Sequence, residues 1–296
     1  MSASGSRSGI LLVDKPQGIT SHDVVARTRK AAATRKVGHA GTLDPMATGL
    51  LVLGLNSSTR LLTFLVGLDK EYYATIRLGA TTTTDDAEGD TVSTVDASTV
   101  SLAALEAALQ PLRGPISQVP SSVSAIKVDG RRAYDLVRGG ETVELKSRAV
   151  TVSALEVLDW RPGATAELDV RVECSSGTYI RAIARDLGSA LGVGGHLTAL
   201  RRTRIGPFSI DDASTLEDLD PEAGMRDPVD VARLLFPVLD LDEQQAVDLS
   251  HGKRFPVSAD DAGPVAAVTR EGRLAGLVTI SEGRVRPIVN FPSDEY

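Results

Sequence analysis

The sequence holds little of what metal, disulfide or membrane proteins are built from. Of its 296 residues one is cysteine and 4% are aromatic, and the four histidines lie far apart in the chain. A single cysteine excludes an internal disulfide and any multi-thiolate zinc or iron–sulfur site. No run approaches the roughly 18 apolar residues of a membrane span, and the N-terminus lacks the long apolar segment of a secretory signal. We therefore expect a cytoplasmic protein with an aliphatic core, no metal and no membrane contact.

The size of the chain suggests more than one domain. Hydrophobic residues make up 42% and charged residues 24% of the sequence, as in ordinary globular proteins. At about 150 residues per domain, we expect one large domain over residues 1–230 and a small one over 231–296. The acidic, proline-bearing stretch 211–230 is the best candidate for a linker.

The charge is segregated, although the net charge is −7. Residues 15–39 hold six basic residues against one aspartate, and residues 171–204 hold six arginines against two acids. Residues 211–230 hold eight acids against one arginine. Such runs can be no more than solvated faces. The two basic segments flank the residues that carry chemistry, however, and this favours a phosphate-rich ligand.

The pattern of strands and helices predicts an α+β fold with a mixed or antiparallel sheet. We expect strands over 9–13, 71–78, 123–128, 150–158 and 166–174, and a buried run over 50–55. Helices are expected from a cap at Thr20 or Ser21 to 33, from Ser57 or Ser58 to 66, over 102–109, over 178–191 and within 241–252, with a loop over 81–90. Three short strands in the last 60 residues indicate a small barrel-like module.

Two segments stand out as candidates for a site. The first is Gly38-His39-Ala40-Gly41-Thr42-Leu43-Asp44-Pro45-Met46-Ala47-Thr48-Gly49, in which Pro45 keeps Asp44 out of helical geometry and presents its carboxylate on a stiff loop. The alternative is a common Asx turn before proline. The second is Cys174-Ser175-Ser176-Gly177-Thr178-Tyr179-Ile180-Arg181, where Thr178 is expected to cap a helix with Tyr179 and Arg181 in its first turn. The alternative is a core tyrosine and a surface arginine.

Two further segments are weaker when taken alone. In Asp69-Lys70-Glu71-Tyr72 the tyrosine is most simply a half-buried strand residue. In the segment 196–208 Leu200 fits a core position, and the arginines fit phosphate contacts.

Taken together, these segments resemble the TruB type of tRNA pseudouridine synthase, which makes pseudouridine 55 in the T-loop. The resemblance also covers the segment 9–21, Ser124-Ala125-Ile126-Lys127-Val128-Asp129-Gly130-Arg131-Arg132-Ala133-Tyr134 and Leu200-Arg201-Arg202. The last 60 or so residues resemble a PUA domain, an RNA-binding module. The family usually has Pro-Pro and an aromatic before Ser-Ala-Ile-Lys, where this chain has Pro120-Ser121-Ser122-Val123.

The resemblance implies an isomerase that uses no cofactor. It makes Asp44 the essential carboxylate, acting at C1′ or C2′ of the ribose, with Arg181 as the cation that keeps it ionised. It places Tyr72 on the extruded base, with Tyr179 and Leu200 as pocket walls.

The resemblance also implies residues that bind the rest of the RNA. His39 enters the stack that the base leaves, Asp86 contacts the loop RNA, and phosphates are held by Lys15, by Arg60 (lysine in some members), by the arginines of 27–35 and by the arginines of 201–204. The expected partner is tRNA, with no protein partner and a monomeric state as the default.

Two other classes of protein remain to be weighed. A non-catalytic RNA-binding or tRNA-folding protein on the same scaffold would not need Asp44. A nucleoside hydrolase would need a second carboxylate to activate water, and the Asp44 segment 38–49 holds no other acid.

Overall fold

A computed structural model describes residues 7–121, 127–128, 131–132 and 145–291 of the chain. It divides into two compact units. The first unit comprises Met1–Asp44, Leu50–Val66 and Pro207–Tyr296, and the second comprises Pro45–Gly49 and Gly67–Gly206. These units do not follow the expected sequential division at residue 230, because the first unit combines the N-terminal segment with the whole C-terminal part of the chain.

The chain mixes helices and strands without strict alternation, which confirms the α+β class. The helices are α1 (Ser21–Ala31), α2 (Leu62–Val66), α3 (Leu102–Leu109), α4 (Ile180–Ala190), α5 (Pro221–Gly224), α6 (Pro228–Leu235) and α7 (Glu243–Ser250). None of the helices within the described ranges is long and apolar enough to cross a bilayer. The strands are β1 (Gly9–Lys15), β2 (Val37–His39), β3 (Thr48–Leu55), β4 (Lys70–Leu78), β5 (Ala80–Thr82), β6 (Thr91–Thr94), β7 (Gly114–Gln118), β8 (Lys127–Val128), β9 (Arg131–Arg132), β10 (Arg148–Arg161), β11 (Ala166–Cys174), β12 (Gly195–Ile205), β13 (Phe208–Ser209), β14 (Val238–Asp240), β15 (Ala262–Val268), β16 (Leu274–Ser281) and β17 (Arg284–Asn290).

The N-terminal part of the first unit is built around the apolar strands β1 and β3. Helix α1 begins with the expected cap: the Thr20 hydroxyl accepts from the Asp23 amide, and the Asp23 carboxylate accepts from the Thr20 amide. Its apolar side chains pack with those of the strands into one aliphatic cluster, formed by Leu11, Val13, Val24, Val25, Val37, Leu51, Leu53 and Leu55.

The acidic stretch 211–230 is not a linker, and this expectation was wrong. Its backbone bonds to β1 at two points, where Ser214 pairs with Leu12 and Asp14, and Arg226 pairs with Ile10. Apolar residues of the stretch pack on the aliphatic cluster (Leu216, Leu219 and Met225). Several of its acids act locally, because Asp220 caps α5 and Asp227 caps α6. Their carboxylates therefore serve helix termini rather than marking a flexible connection.

The C-terminal part of the first unit is a four-stranded sheet in the order β14-β15-β16-β17. The three expected short strands are present, and β14 adds a fourth that pairs parallel with β15. Helix α7 contributes to a second apolar cluster with the sheet, formed by Leu241, Leu249, Phe255, Val265, Ala267, Ala275, Val278, Ile280 and Val285.

The second unit holds an antiparallel sheet in the order β12-β4-β11-β10-β7. Residues Thr48 and Gly49 of β3 pair with β12 in parallel, which makes this sheet mixed. Buried residues alternate with more exposed ones along β4 and β11, as the period of two in the sequence predicts. The expected loop 81–90 is framed by a short hairpin of β5 and β6. Most of the expected strand 123–128 and of the segment 124–134 lies outside the described residues.

Candidate active site

The Asp44 loop is anchored immediately before its carboxylate. The Ser21 hydroxyl of α1 accepts a hydrogen bond from the Leu43 amide (2.9 Å) and donates one to the Leu43 carbonyl (3.1 Å). Further upstream, the Ala40 amide donates to the Val52 carbonyl. Asp44 itself is partly exposed. The loop therefore presents a carboxylate from a backbone that is fixed at two points.

The chain after Asp44 joins the sheet of the second unit within four residues. Thr48 and Gly49 pair with Arg201 and Arg202 of β12, and the Arg201 guanidinium donates to the Thr48 hydroxyl (3.3 Å). Gly49 has a φ of +106°, and a Cβ there would lie 2.2 Å from the Arg202 carbonyl oxygen. Only glycine permits this approach, which explains the last glycine of the segment 38–49.

The other predicted residues of the first unit differ in their surroundings. His39 is half-buried in β2, and its ring meets that of His22 edge-to-face at 5.7 Å. Arg60 is exposed and donates to the Asn290 carbonyl of β17.

Lys15 does not agree with the predicted phosphate contact. It is fully buried, and its ammonium donates to the carbonyls of Pro16 (2.9 Å) and Ile19 (2.8 Å). An ammonium out of reach of solvent is also out of reach of a phosphate. Lys15 instead closes the turn that leads into α1.

Tyr72 lies on the buried face of β4, beside two cations. In the sheet it is opposite Val172 of β11 and Arg202 of β12, and Lys70 is two residues before it on the same face. Arg202 and Lys70 are both buried, so Arg202 does not match the predicted phosphate contact either. Burial, and then the charge of Arg202, lower the pKa of Lys70 from 10.5 to about 8.

The remaining predicted residues of β12 divide between core and surface. Leu200 is buried and lies opposite Ala74, on the same face of the sheet as Tyr72. This position agrees with a core residue and with a pocket residue alike. Arg204 lies 3.7 Å from the Glu173 carboxylate and is partly exposed. Of the three arginines of residues 201–204, Arg201 and Arg204 therefore keep partial exposure.

Helix α4 begins one residue later than a Thr178 cap would place it, so that expectation was wrong. Gly177, with a φ of +87°, turns the chain, and the Thr178 hydroxyl donates back to the Ser175 carbonyl (2.9 Å). Tyr179 becomes the N-cap residue and is partly exposed. Arg181 follows in the first turn, as expected, but its side chain is buried and not exposed at the surface.

Arg181 is paired with Asp86. The guanidinium Nη1 lies 3.2 Å from the Asp86 carboxylate, and the same nitrogen donates to the Thr84 carbonyl (2.9 Å). Asp86 also accepts from the Thr84 hydroxyl (2.5 Å) and the Glu88 amide (3.0 Å). Asp86 is thus buried and committed to the protein, which argues against the predicted contact with RNA. The sequence pattern offered no signal that connects residue 86 with residue 181.

Comparisons with known proteins cover nearly the whole chain. Three family models match consecutive parts: TruB family pseudouridylate synthase (N terminal domain) over 29–180, tRNA pseudouridylate synthase B C-terminal domain over 181–240, and tRNA Pseudouridine synthase II, C terminal over 236–292.

Curated relatives resemble the chain from end to end. The tRNA pseudouridine synthase B of Leifsonia xyli is 56% identical over 295 residues, covering 97% of this chain and 98% of the relative. That of Streptomyces griseus is 51% identical over 289 residues, covering 96% and 97%.

Solved structures share the fold. An H/ACA RNP bound to a substrate RNA containing 2'-deoxyuridine matches with a TM-score of 0.69 and 27% identity, over 97% of this chain and 86% of that one. The archaeal box H/ACA sRNP Nop10-Cbf5 complex matches with a TM-score of 0.70 and 25% identity, over 98% and 88%. By family models, relatives and fold alike, the chain belongs to the TruB family of pseudouridylate synthases.

Proposed function

We propose that this protein converts uridine 55 in the T-loop of tRNA into pseudouridine, with Asp44 as the essential carboxylate and the target base turned out of the stack. The names of the curated relatives support tRNA as the substrate. The observation that carries the proposal is the Asp44 loop: a partly exposed aspartate that directly follows a backbone held by Ser21, in a chain of this family.

The reaction moves the glycosidic bond and adds no atom. The N1–C1′ bond breaks, the uracil turns, C5 bonds to C1′, and the proton lost from C5 is balanced by the one gained at N1. Asp44 acts on the ribose, by attack at C1′, by stabilising the positive charge that develops there, or by removing the C2′ proton. Carboxylates do comparable work in glycosidases.

Arg181 supplies a fixed positive charge for this chemistry. A cation near a carboxylate favours its ionised form, which Asp44 needs. Asp86 and the Thr84 carbonyl hold the Arg181 guanidinium. Asp86 thereby contributes to the site through Arg181 rather than through the RNA.

Tyr72, Tyr179 and Leu200 are proposed to hold the extruded base. Turning a base out costs a few kcal/mol, and stacking on an aromatic ring returns about 1–3 kcal/mol. Tyr72 provides that ring and takes part in removing the C5 proton. Leu200 and Tyr179 wall the pocket and exclude water, and His39 fills the stack that the base leaves.

The rest of the tRNA is proposed to bind through exposed cations. Around α1 these are Arg27, Arg29, Lys30, Arg35 and Lys36, all of them exposed. Such contacts position phosphates without reading the sequence. We assign RNA binding to residues 231–296 as well, by their resemblance to a PUA domain, and a monomer as the working form.

The test is to incubate the protein with an unmodified tRNA and to map pseudouridine by position. We expect one modified site at position 55, and Asp44→Asn is expected to bind tRNA but to form no product. Asp96→Asn, which alters an exposed aspartate just after β6, is the matched control and is expected to keep full activity.

Three results would overturn the proposal. They are full activity of Asp44→Asn, tRNA binding without modification by the wild type, and release of free uracil. The second result would identify a non-catalytic RNA-binding protein, and the third a hydrolase.

A further inference from the structure

Gln118, the last residue of β7, forms two hydrogen bonds with the main chain of Tyr179. Its Oε1 accepts from the Tyr179 amide (2.8 Å), and its Nε2 donates to the Tyr179 carbonyl (3.1 Å). The side-chain amide thereby copies the pairing of two neighbouring strands. Gln118 is 2% exposed. With both ends of its amide bonded to Tyr179, this side chain is not presented to an RNA.

The position of Tyr179 explains why such support is needed. Tyr179 is the N-cap of α4, its backbone is extended, and tyrosine is not a residue whose side chain caps helices. The neighbouring Thr178 hydroxyl is directed back to Ser175. The N–H at a helix start needs a partner from outside the helix, and Gln118 provides one.

A second bond ties the same segment to the next turns of α4. The Arg185 guanidinium donates to the carbonyl of Val119, the residue after Gln118 (2.8 Å). The end of β7 therefore holds α4 at Tyr179 and again six residues later. Arg181, paired with Asp86, lies between these two points.

We propose that Gln118 is a positioning residue for the isomerisation: its amide fixes the backbone of Tyr179 and so the direction of the phenol ring at the pocket. This rests on the proposed function, in which Tyr179 walls that pocket. A buried group that sets another residue's geometry acts on the reaction rate at saturating substrate, since a misplacement of about 1 Å can cost 100-fold.

The experiment is a double-mutant cycle on the full chain, read as single-turnover pseudouridine formation at saturating unmodified tRNA. Gln118→Leu removes both bonds and is expected to slow the reaction by about 10-fold to 100-fold, with little change in the Kd for tRNA. Tyr179→Ala removes the ring but keeps the main chain that Gln118 holds. In that background Gln118→Leu is expected to cost almost nothing further. If the rate loss of the double variant equals the product of the two single-variant losses to within about twofold, the proposal is overturned.

Gln118→Glu gives a second measurement should Gln118→Leu fold poorly. At neutral pH its carboxylate still accepts from the Tyr179 amide but faces the Tyr179 carbonyl without a proton. Burial raises the pKa of such a carboxyl, and its protonated form restores the donor. The rate relative to wild type at the same pH is therefore expected to rise as the pH falls, whereas a flat ratio would overturn the proposal.

A matched control and the wild type separate the possible failures. Gln110→Leu, an exposed glutamine of the same unit, is expected to leave the rate unchanged. If the wild type makes no pseudouridine, the proposed function fails. If the wild type is active but the rate losses of Gln118→Leu and Tyr179→Ala multiply, the proposed function stands and only the role of Gln118 is wrong.

Discussion

Arg181 and Asp86 form an ion pair of 3.2 Å in which the two side chains expose only 5% and 3% of their surface. A neighbouring pair, Arg185 and Asp85, joins the same helix to the same loop at 3.4 Å but is more exposed. Both pairs join helix α4 to the same loop, one as a buried ion pair and the other as a partly exposed one, so their contributions to stability can be compared.

Asp86→Ala is expected to lower the free energy of unfolding by about 3–5 kcal/mol, because it leaves Arg181 buried without this carboxylate. The rate of pseudouridine formation should fall with it, since Arg181 loses its anchor. Asp85→Asn, the matched control, is expected to cost less than about 1 kcal/mol. Urea unfolding and single-turnover rates check both. Equal losses from the two variants would show that burial does not set the importance of the Asp86 pair.

Tyr72→Phe is expected to slow turnover roughly 100-fold while changing the Kd for tRNA little, because the ring still stacks and only the hydroxyl is lost. Tyr73→Phe is the control: the neighbouring residue points to the opposite face of β4 and is 42% exposed. It should behave as wild type in both measurements. Equal losses of rate and affinity in Tyr72→Phe would assign Tyr72 a stacking role alone.

Much of the fold could be predicted because its sequence periods are strong. The alternation in β4 and β11 and the cap at Thr20 are local signals, and these two strands and helix α1 formed where their patterns indicated. The prediction of a linker over 211–230 was wrong because an acidic composition is also typical of solvent-exposed linkers. What decides the structure there is the backbone pairing of Ser214 and Arg226 with β1, which composition does not encode.

The sequence named the residues of the candidate site but not the contacts that hold them. Asp44, Tyr179 and Arg181 stand out by local pattern and family resemblance, and Tyr72 by the resemblance alone. The partners that hold such residues come from distant parts of the chain: Gln118 is 61 residues from Tyr179. Pairings of this kind depend on the tertiary fold and leave no trace in a local pattern.

Binding of tRNA is expected to weaken with salt through the exposed cations near α1. Lys30→Gln combined with Arg35→Gln should reduce the slope of log K against log salt by about 0.7–0.9 for each phosphate that is no longer neutralised. Arg161→Gln is the control, because this guanidinium is already paired with Asp159 and Asp169. Filter binding at several salt concentrations gives the slopes. An unchanged slope in the double variant would place the phosphate contacts elsewhere.

Lys15→Met should act on stability and not on binding. It leaves the Pro16 and Ile19 carbonyls without their donor, at a cost of about 1–3 kcal/mol for each unsatisfied group. The salt slope of tRNA binding should equal that of wild type. A reduced slope in a variant of normal stability would restore the original assignment of Lys15 to a phosphate.

Lys70 makes stability depend on alkaline pH. Its pKa is about 8 in the folded protein against a usual 10.5, chiefly because of burial. Below pH 8 both states hold the proton, and the burial penalty is present in full. Between pH 8 and 10.5 the unfolded chain binds a proton that the folded protein has released, so the contribution of Lys70 to stability rises with pH.

The comparison with Lys70→Met isolates this contribution. Burial raises the pKa of the facing Cys174 thiol to about 11, and that group acts in the opposite direction above pH 9, but both proteins contain it. The free energy of unfolding of wild type minus that of Lys70→Met should therefore rise by up to about 1.4 kcal/mol per unit of pKa difference between pH 8 and 10.5. Urea unfolding of both proteins at pH 7, 8, 9 and 10 measures it. A constant difference across this range would mean that Lys70 titrates near its usual pKa and that burial does not lower it.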